Sequence, residues 1–207
     1  MKRLDSVPRA LMDVIMDGVE DSAAGLAKLA NQNCQLETAS IGTFSLDGLE
    51  TRSSSEPADH SGAYFIIPGG VFFVHFSAAD GSALADSLPA KIESIENTKR
   101  EKLAEVSNIL ANAVTNSLAD ACDVGFVVSA PEFAQDSKTN LLKQALSRFN
   151  ECCNKGGRLK ASAKDFSEGA EYFAVINYIH LSSASLPISC RMIILLNALW
   201  KDLLPWR

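Results

Sequence analysis

Two stretches of this chain, 92 positions apart, follow one pattern. Leu11-Met12-Asp13-Val14-Ile15-Met16 returns in outline as Leu103-Ala104-Glu105-Val106-Ser107-Asn108, and Leu26-Ala27 returns as Leu118-Ala119. Each copy sets an acid among its apolar positions and, three residues on, a second side chain on the same helical face. In the later copy that pair is Glu105 and Asn108; in the earlier it is Asp13 and Met16. The repeat predicts a duplicated helical unit in which one surface pair is kept and the other altered.

Periodicity fills in the elements around the two copies. A long helix is expected from about Ser6 to Ala30, with Asp5 or Ser6 as cap and Pro8 in the first turn, where a missing N–H costs nothing. Its apolar stripe is Leu11, Val14, Ile15, Gly18, Ser22, Leu26 and Leu29, with Asp13, Met16, Asp17 and Glu20 on the opposite face. Short strand-like pieces follow around Leu36 to Phe44, and then a polar Ser-rich loop that contains His60. Two β-rich runs, Ala63 to Ile67 and Val71 to Phe76, flank the turn signal Pro68-Gly69-Gly70. A short helix is expected to start at Asp80.

The second long helix is expected from near Ile95 to Cys122, and its stripe is Leu103, Val106, Ile109, Leu110, Ala113, Val114, Ser117, Leu118 and Ala121. Phe126-Val127-Val128 reads as a strand, Asn140 to Phe149 as a short helix, and Asn150 to Gly169 as an exposed loop. Two further β-rich runs, Glu171 to Leu181 and Leu186 to Leu196, precede a last helical turn from Ala198 to Leu204. The sum is an α+β domain with an internal pseudo-twofold repeat, two long helices packed on one face of a mainly antiparallel β-sheet. Residues 1–207 are expected to form one domain, with halves of about 1–92 and 93–207.

At 207 residues and 47% hydrophobic content the chain can bury a sizeable core. A net charge of −6 argues against nucleic acid, because phosphate neutralisation needs clustered Lys and Arg. The most apolar run, Met192 to Leu196, is far too short to span a bilayer. No signal peptide is evident, so a cytoplasmic protein is expected. Five cysteines, none in a CxxC pair, fit that compartment, and adjacent Cys152-Cys153 reads as two reduced thiols in a polar loop.

On a wheel at about 100° per residue, Glu101, Glu105, Asn108 and Asn112 fall opposite the apolar stripe of the second helix. Glu105 and Asn108 are neighbours on that surface, with Cβ atoms roughly 5–6 Å apart. A carboxylate can pair with a partner's cation, while a carboxamide offers donor and acceptor to hold a water. Such a pair positions a reagent and leaves bond breaking to another site.

The run Glu105-Val106-Ser107-Asn108-Ile109-Leu110-Ala111-Asn112-Ala113, continuing to Ser117-Leu118-Ala119, resembles the second signature helix of the CheC/CheX/FliY family of phosphatases. These act on phosphorylated CheY-like response regulators, and carry a Glu-x-x-Asn pair on each of two pseudo-symmetric helices. Ser129-Ala130-Pro131 and the stretch from Phe72 to Ala85 also resemble family segments. The resemblance implies that Glu105 salt-bridges a lysine of the receiver domain, while Asn108 holds a water in line with the aspartyl-phosphate. Positioning as the chief contribution agrees with the physics of phosphoryl transfer. Magnesium would sit on the receiver, and no cofactor is expected on this chain.

The first copy departs from the family pattern. Asp13 keeps a carboxylate, but the Met16 thioether is a weak acceptor and donates nothing, so an inactive first site is expected. Glu101, Asn112 and Asn116 either extend the contact surface or only cover it. The implied partners are a phosphorylated CheY-like receiver domain and a CheD-like protein; pairing with a second copy is left open. The alternative function is a silent CheC-like module that binds a receiver, a CheD-like partner or the flagellar switch without hydrolysis. His60, His75 and His180 match no metal spacing and read as structural, and Trp200 and Trp206 as core or dimer contacts.

Overall fold

The computed structural model describes residues 9–45, 60–67, 69–88, 99–123, 128–154, 171–182 and 187–196. In chain order these form α1 (Arg9–Ala30), β1 (Cys34–Ser45), β2 (His60–Ile67), β3 (Gly70–Ser77), α2 (Ala78–Ser87), α3 (Lys99–Cys122), β4 (Glu132–Asp136), α4 (Lys138–Asn154), β5 (Glu171–Ser182) and β6 (Pro187–Leu196). The fold is α+β. All strands join one antiparallel sheet in the order β1-β5-β6-β3-β2-β4.

That order carries the repeat. Exchanging β1 with β4, β2 with β5 and β3 with β6 returns the same sheet read backwards, with the pseudo-twofold axis between β3 and β6. The long helices obey the same relation. The eight buried positions of α1, moved on by 92, fall on seven of the eight buried positions of α3. Each helix closes on a residue with positive φ, Asn31 at 51° and Asp123 at 52°, again 92 apart. Asn and Asp are the side chains that tolerate this left-handed stop most readily after Gly. The expected boundary near 92 lies outside the described residues.

The two helices cross antiparallel at their small residues. A Cβ built on Gly18 would lie 2.7 Å from the Val114 Cα, so only glycine admits this approach. Ser22 is fully buried there and donates its hydroxyl both to the Gly18 carbonyl at 2.8 Å and across the crossing to the Leu110 carbonyl at 2.9 Å. On α3 the hydroxyls of Ser107 and Thr115 return to the carbonyls of Leu103 and Ala111, both at 2.8 Å.

Beneath them lies the main core. Leu11, Ile15, Leu26, Leu110 and Leu118 meet Phe65, Phe72, Phe76, Val175, Met192 and Ile194 from the sheet. Tyr64, Ile66, Val71 and Phe73 point to the other face and are covered by Leu141, Leu142, Ala145, Leu146 and Phe149 of α4. Both faces of β2 and β3 are therefore buried, which is why these strands read as unbroken apolar runs.

Several expectations shift. The pieces around Leu36 to Phe44 are one strand of 12 residues, with a bulge between Thr38 and Ser40. The short helix begins at Ala78, before Asp80, because the Ser77 hydroxyl caps it by accepting from the Asp80 N–H at 3.1 Å. The edge strand is Glu132–Asp136; Val128 to Pro131 is irregular, and the rest of the expected strand at Phe126 lies outside the described residues. Helix α4 runs on to Asn154, so Cys152 and Cys153 sit in its last turn and not in a loop. His60 opens β2 and does not belong to a loop. The helix cap at Asp5 to Pro8, the start of the second helix before Lys99, the remainder of the polar loop from 155 and the segment holding Trp200 and Trp206 lie outside the described residues.

Candidate functional site

Helix α3 is held at its first turn by its neighbours. Lys102 donates to the carbonyls of Ala85 at 2.8 Å and Leu88 at 3.2 Å, which stops the exposed C-terminal carbonyls of α2. Lys99 reaches Ser82 at 2.6 Å and Asp86 at 3.2 Å. Arg100 donates to the Phe133 carbonyl at 3.3 Å and lies over the Phe133 ring. With Leu103, Val106, Ser107, Leu110, Ala111, Val114, Thr115 and Leu118 turned inward, the rotation of the helix is determined.

The opposite face is a line of exposed polar side chains: Glu101, Glu105, Asn108, Asn112 and Asn116. Glu105 and Asn108 stand one turn apart and face out, as the wheel places them. The wheel is off by part of a turn elsewhere. Ser107, Ala111 and Thr115 are buried, whereas Ile109, Ala113, Ser117 and Ala121 of the expected stripe are only half-buried. Ser and Thr enter the interior here because their hydroxyls satisfy themselves on the preceding turn.

The related positions on α1 differ in chemistry and in setting. Asp13 is exposed, but Met16 is half-buried, with the Thr38 hydroxyl donating to its sulfur at 3.8 Å. The thioether therefore leans on β1, where an outward amide stands in the sister helix.

Among the described residues no cluster of three or more His, Cys, Asp or Glu is arranged to hold a metal ion. No described helix is long and apolar enough to cross a membrane. By strand alternation all three histidines lie on the sheet face that α4 partly covers, away from Glu105 and Asn108. His60 and His75 meet edge to face at 5.3 Å, and both are buried. His180 instead is half-buried between Ser189 and Glu37. That last grouping is absent from the expectations above. Its trace in the sequence is the alternation of Tyr178 with His180 and of Ser189 with Arg191 in otherwise apolar strands.

No protein-family model and no curated protein matches the chain. Solved structures do. FliY from Thermotoga maritima superposes with a TM-score of 0.63 at 10% identity, over 98% of this chain and 96% of that one. The FliM middle domain from H. pylori gives 0.54 at 12% identity, over 95% and 97%. A chain of the FliG–FliM complex from H. pylori gives 0.52 at 9% identity, over 90% and 93%. At such identities the shared property is the fold. The chain has a fold of the FliY type, as the sequence resemblance to the CheC/CheX/FliY family implied.

Proposed function

We propose that this protein is a phosphatase for the aspartyl-phosphate of a CheY-like receiver domain. One observation carries the reading: Glu105 and Asn108 stand exposed one turn apart on a helix fixed at its first turn, in a fold of the FliY type. Glu105 pairs with a lysine of the receiver and sets the approach of the helix. Asn108 enters the receiver's pocket, where its carboxamide accepts from and donates to the attacking water. Magnesium belongs to the receiver. Asp13 and Met16 do no hydrolysis, because the sulfur has no donor to offer and is turned against Thr38.

Phosphate release from a receiver charged with acetyl phosphate, in magnesium, tests this. The protein should accelerate release, and Asn108→Ala should lower the acceleration by on the order of 10² while binding persists. Glu105→Ala should act mainly through weaker docking. A second reading, a binding module without hydrolysis, is favoured by the FliG–FliM complex, in which a chain of this fold is held by another protein. Receiver binding with unchanged phosphate release from the intact protein would decide for it.

A further inference from the structure

At one end of the sheet, on the face opposite α1 and α3, three strands bring together a carboxylate, an imidazole and a hydroxyl. Ser189 on β6 lies directly across from His180 on β5, and Oγ is 2.8 Å from Nδ1. The other ring nitrogen, Nε2, is 3.3 Å from Oε2 of Glu37 on β1. An ionised Glu37 can only accept, so Nε2 is the ring nitrogen that donates to it, and in the neutral form of the ring Nδ1 accepts the Ser189 hydroxyl. A hydroxyl donating to a base, with the base oriented by a third group, is the arrangement of an activated nucleophile.

The surroundings hold this chain of three in place. The Tyr178 ring, two residues back on the same face of β5, lies parallel to the imidazole, 10° apart in plane with centroids at 6.1 Å. The Ser189 N–H donates to Asp80 Oδ1 at 3.0 Å, and Asp80 is itself bonded to Ser77 at 2.6 Å, so the backbone under the hydroxyl is anchored. Arg191 is two residues along β6 and so on the same face, with its guanidinium 4.4 Å from the Tyr178 ring centre. The group is reachable: the side chains of Glu37 and His180 are 68% and 33% exposed.

We infer that Ser189 is a nucleophilic serine, with His180 its base and Glu37 the positioning residue, acting on small unhindered acyl esters. Ser189 Oγ bonds to the acyl carbon while its proton passes to His180 Nδ1. The carbon–oxygen bond to the alcohol breaks, and the alcohol leaves with that proton. Water then attacks the acyl-serine, giving its proton to Nδ1; the acid departs, and the proton returns to Oγ. The exposure of the Glu37 and His180 side chains suits a short, unhindered acyl group.

The intact protein with p-nitrophenyl acetate tests this through nitrophenolate release and mass spectrometry of the acylated peptide. The acetyl group should appear on Ser189, and Ser189→Ala and His180→Gln should each lower release by on the order of 10². Glu37→Gln should cost less and change the pH profile, since it alters the orientation of the base and not the nucleophile. Far-UV circular dichroism and melting of each variant show that the sheet is intact, and a fluorophosphonate probe on the unaltered protein reads Ser189 without any substitution. Release that survives Ser189→Ala but not His180→Gln would mean a bare imidazole and overturn the inference. So would a Ser189 peptide left unmodified by both reagents.

Discussion

Replacing Gly18 with Ala gives a sharp test of the helix crossing. The added Cβ would stand 2.7 Å from the Val114 Cα and 3.1 Å from Ser117 Oγ. The first neighbour is backbone and cannot rotate away, so ordinary contact at 3.4 Å requires the helices to part by about 0.7 Å locally. That movement takes the Ser22–Leu110 bond from 2.9 Å to roughly 3.6 Å, beyond hydrogen-bond range. Losing the bond costs about 1 kcal/mol. Loosened packing along the crossing adds about 2 kcal/mol. Helix propensity returns about 1 kcal/mol for Gly to Ala, leaving a net loss near 2 kcal/mol. Gly25→Ala is the control. Its Cβ would meet only the Ile109 Cγ2 methyl at 3.3 Å, which can rotate, so propensity should win by a few tenths of a kcal/mol. Urea unfolding followed by circular dichroism compares the two. A slope of about 2–3 kcal/mol/M places the Gly18→Ala midpoint nearly 1 M lower. The close-approach argument fails if Gly18→Ala is as stable as the unaltered protein or as Gly25→Ala.

Other consequences can be measured directly. Ser22→Ala should lower stability by about 1 kcal/mol in the same urea assay, since the donor is lost while the Leu110 carbonyl keeps its place in its own helix. Asp13→Glu with Met16→Asn should place a water-holding pair on α1 and recover part of the phosphate release lost in Asn108→Ala; no recovery would mean that the amide stays turned against Thr38 or that the partner does not reach α1. Burial, followed by the hydrogen bond and charge of Glu132, pushes the Tyr64 hydroxyl up to about 12, so stability should fall between the ordinary tyrosine range and pH 12. Tyr64→Phe should flatten that fall in pH-dependent melting. Burial pulls the Glu132 carboxyl upward, but bonds from Arg148 and Tyr64 and the Arg148 charge outweigh it and hold it low. Its contribution is therefore present above the ordinary carboxylate range and lost as pH falls through the lowered value; Glu132→Gln should blunt that acid loss.

The architecture was legible wherever hydrophobic period and chain length agreed. Leu11 and Leu26 and their counterparts Leu103 and Leu118 define the two helices, and the 92-residue spacing anticipates the symmetry. Ser107 and Thr115 escaped the wheel because a binary pattern counts a hydroxyl as outward, even when the helix itself satisfies it. The edge strand escaped for a different reason. Glu132 and Gln135 carry no apolar alternation, and the strand is held by pairing with β2 and by the Tyr64–Glu132–Arg148 bonds. At the candidate site, the outward pair Glu105 and Asn108 could be read from spacing alone. Glu37, His180 and Ser189 could not be assembled that way, since Glu37 and His180 are 143 positions apart and meet only through register.

Strand exchange between the halves has a cost in time. Among the described residues the first strand of the early half pairs only with β5 from the late half, and the fourth strand only with β2 from the early half. Neither half can complete its own sheet, and Cys34 must wait for Leu181 before its ladder can form. A topology closed by such distant pairs assembles slowly. It also means that two separately expressed halves, each unable to finish alone, should complement each other in the manner of a swapped dimer made from a single gene.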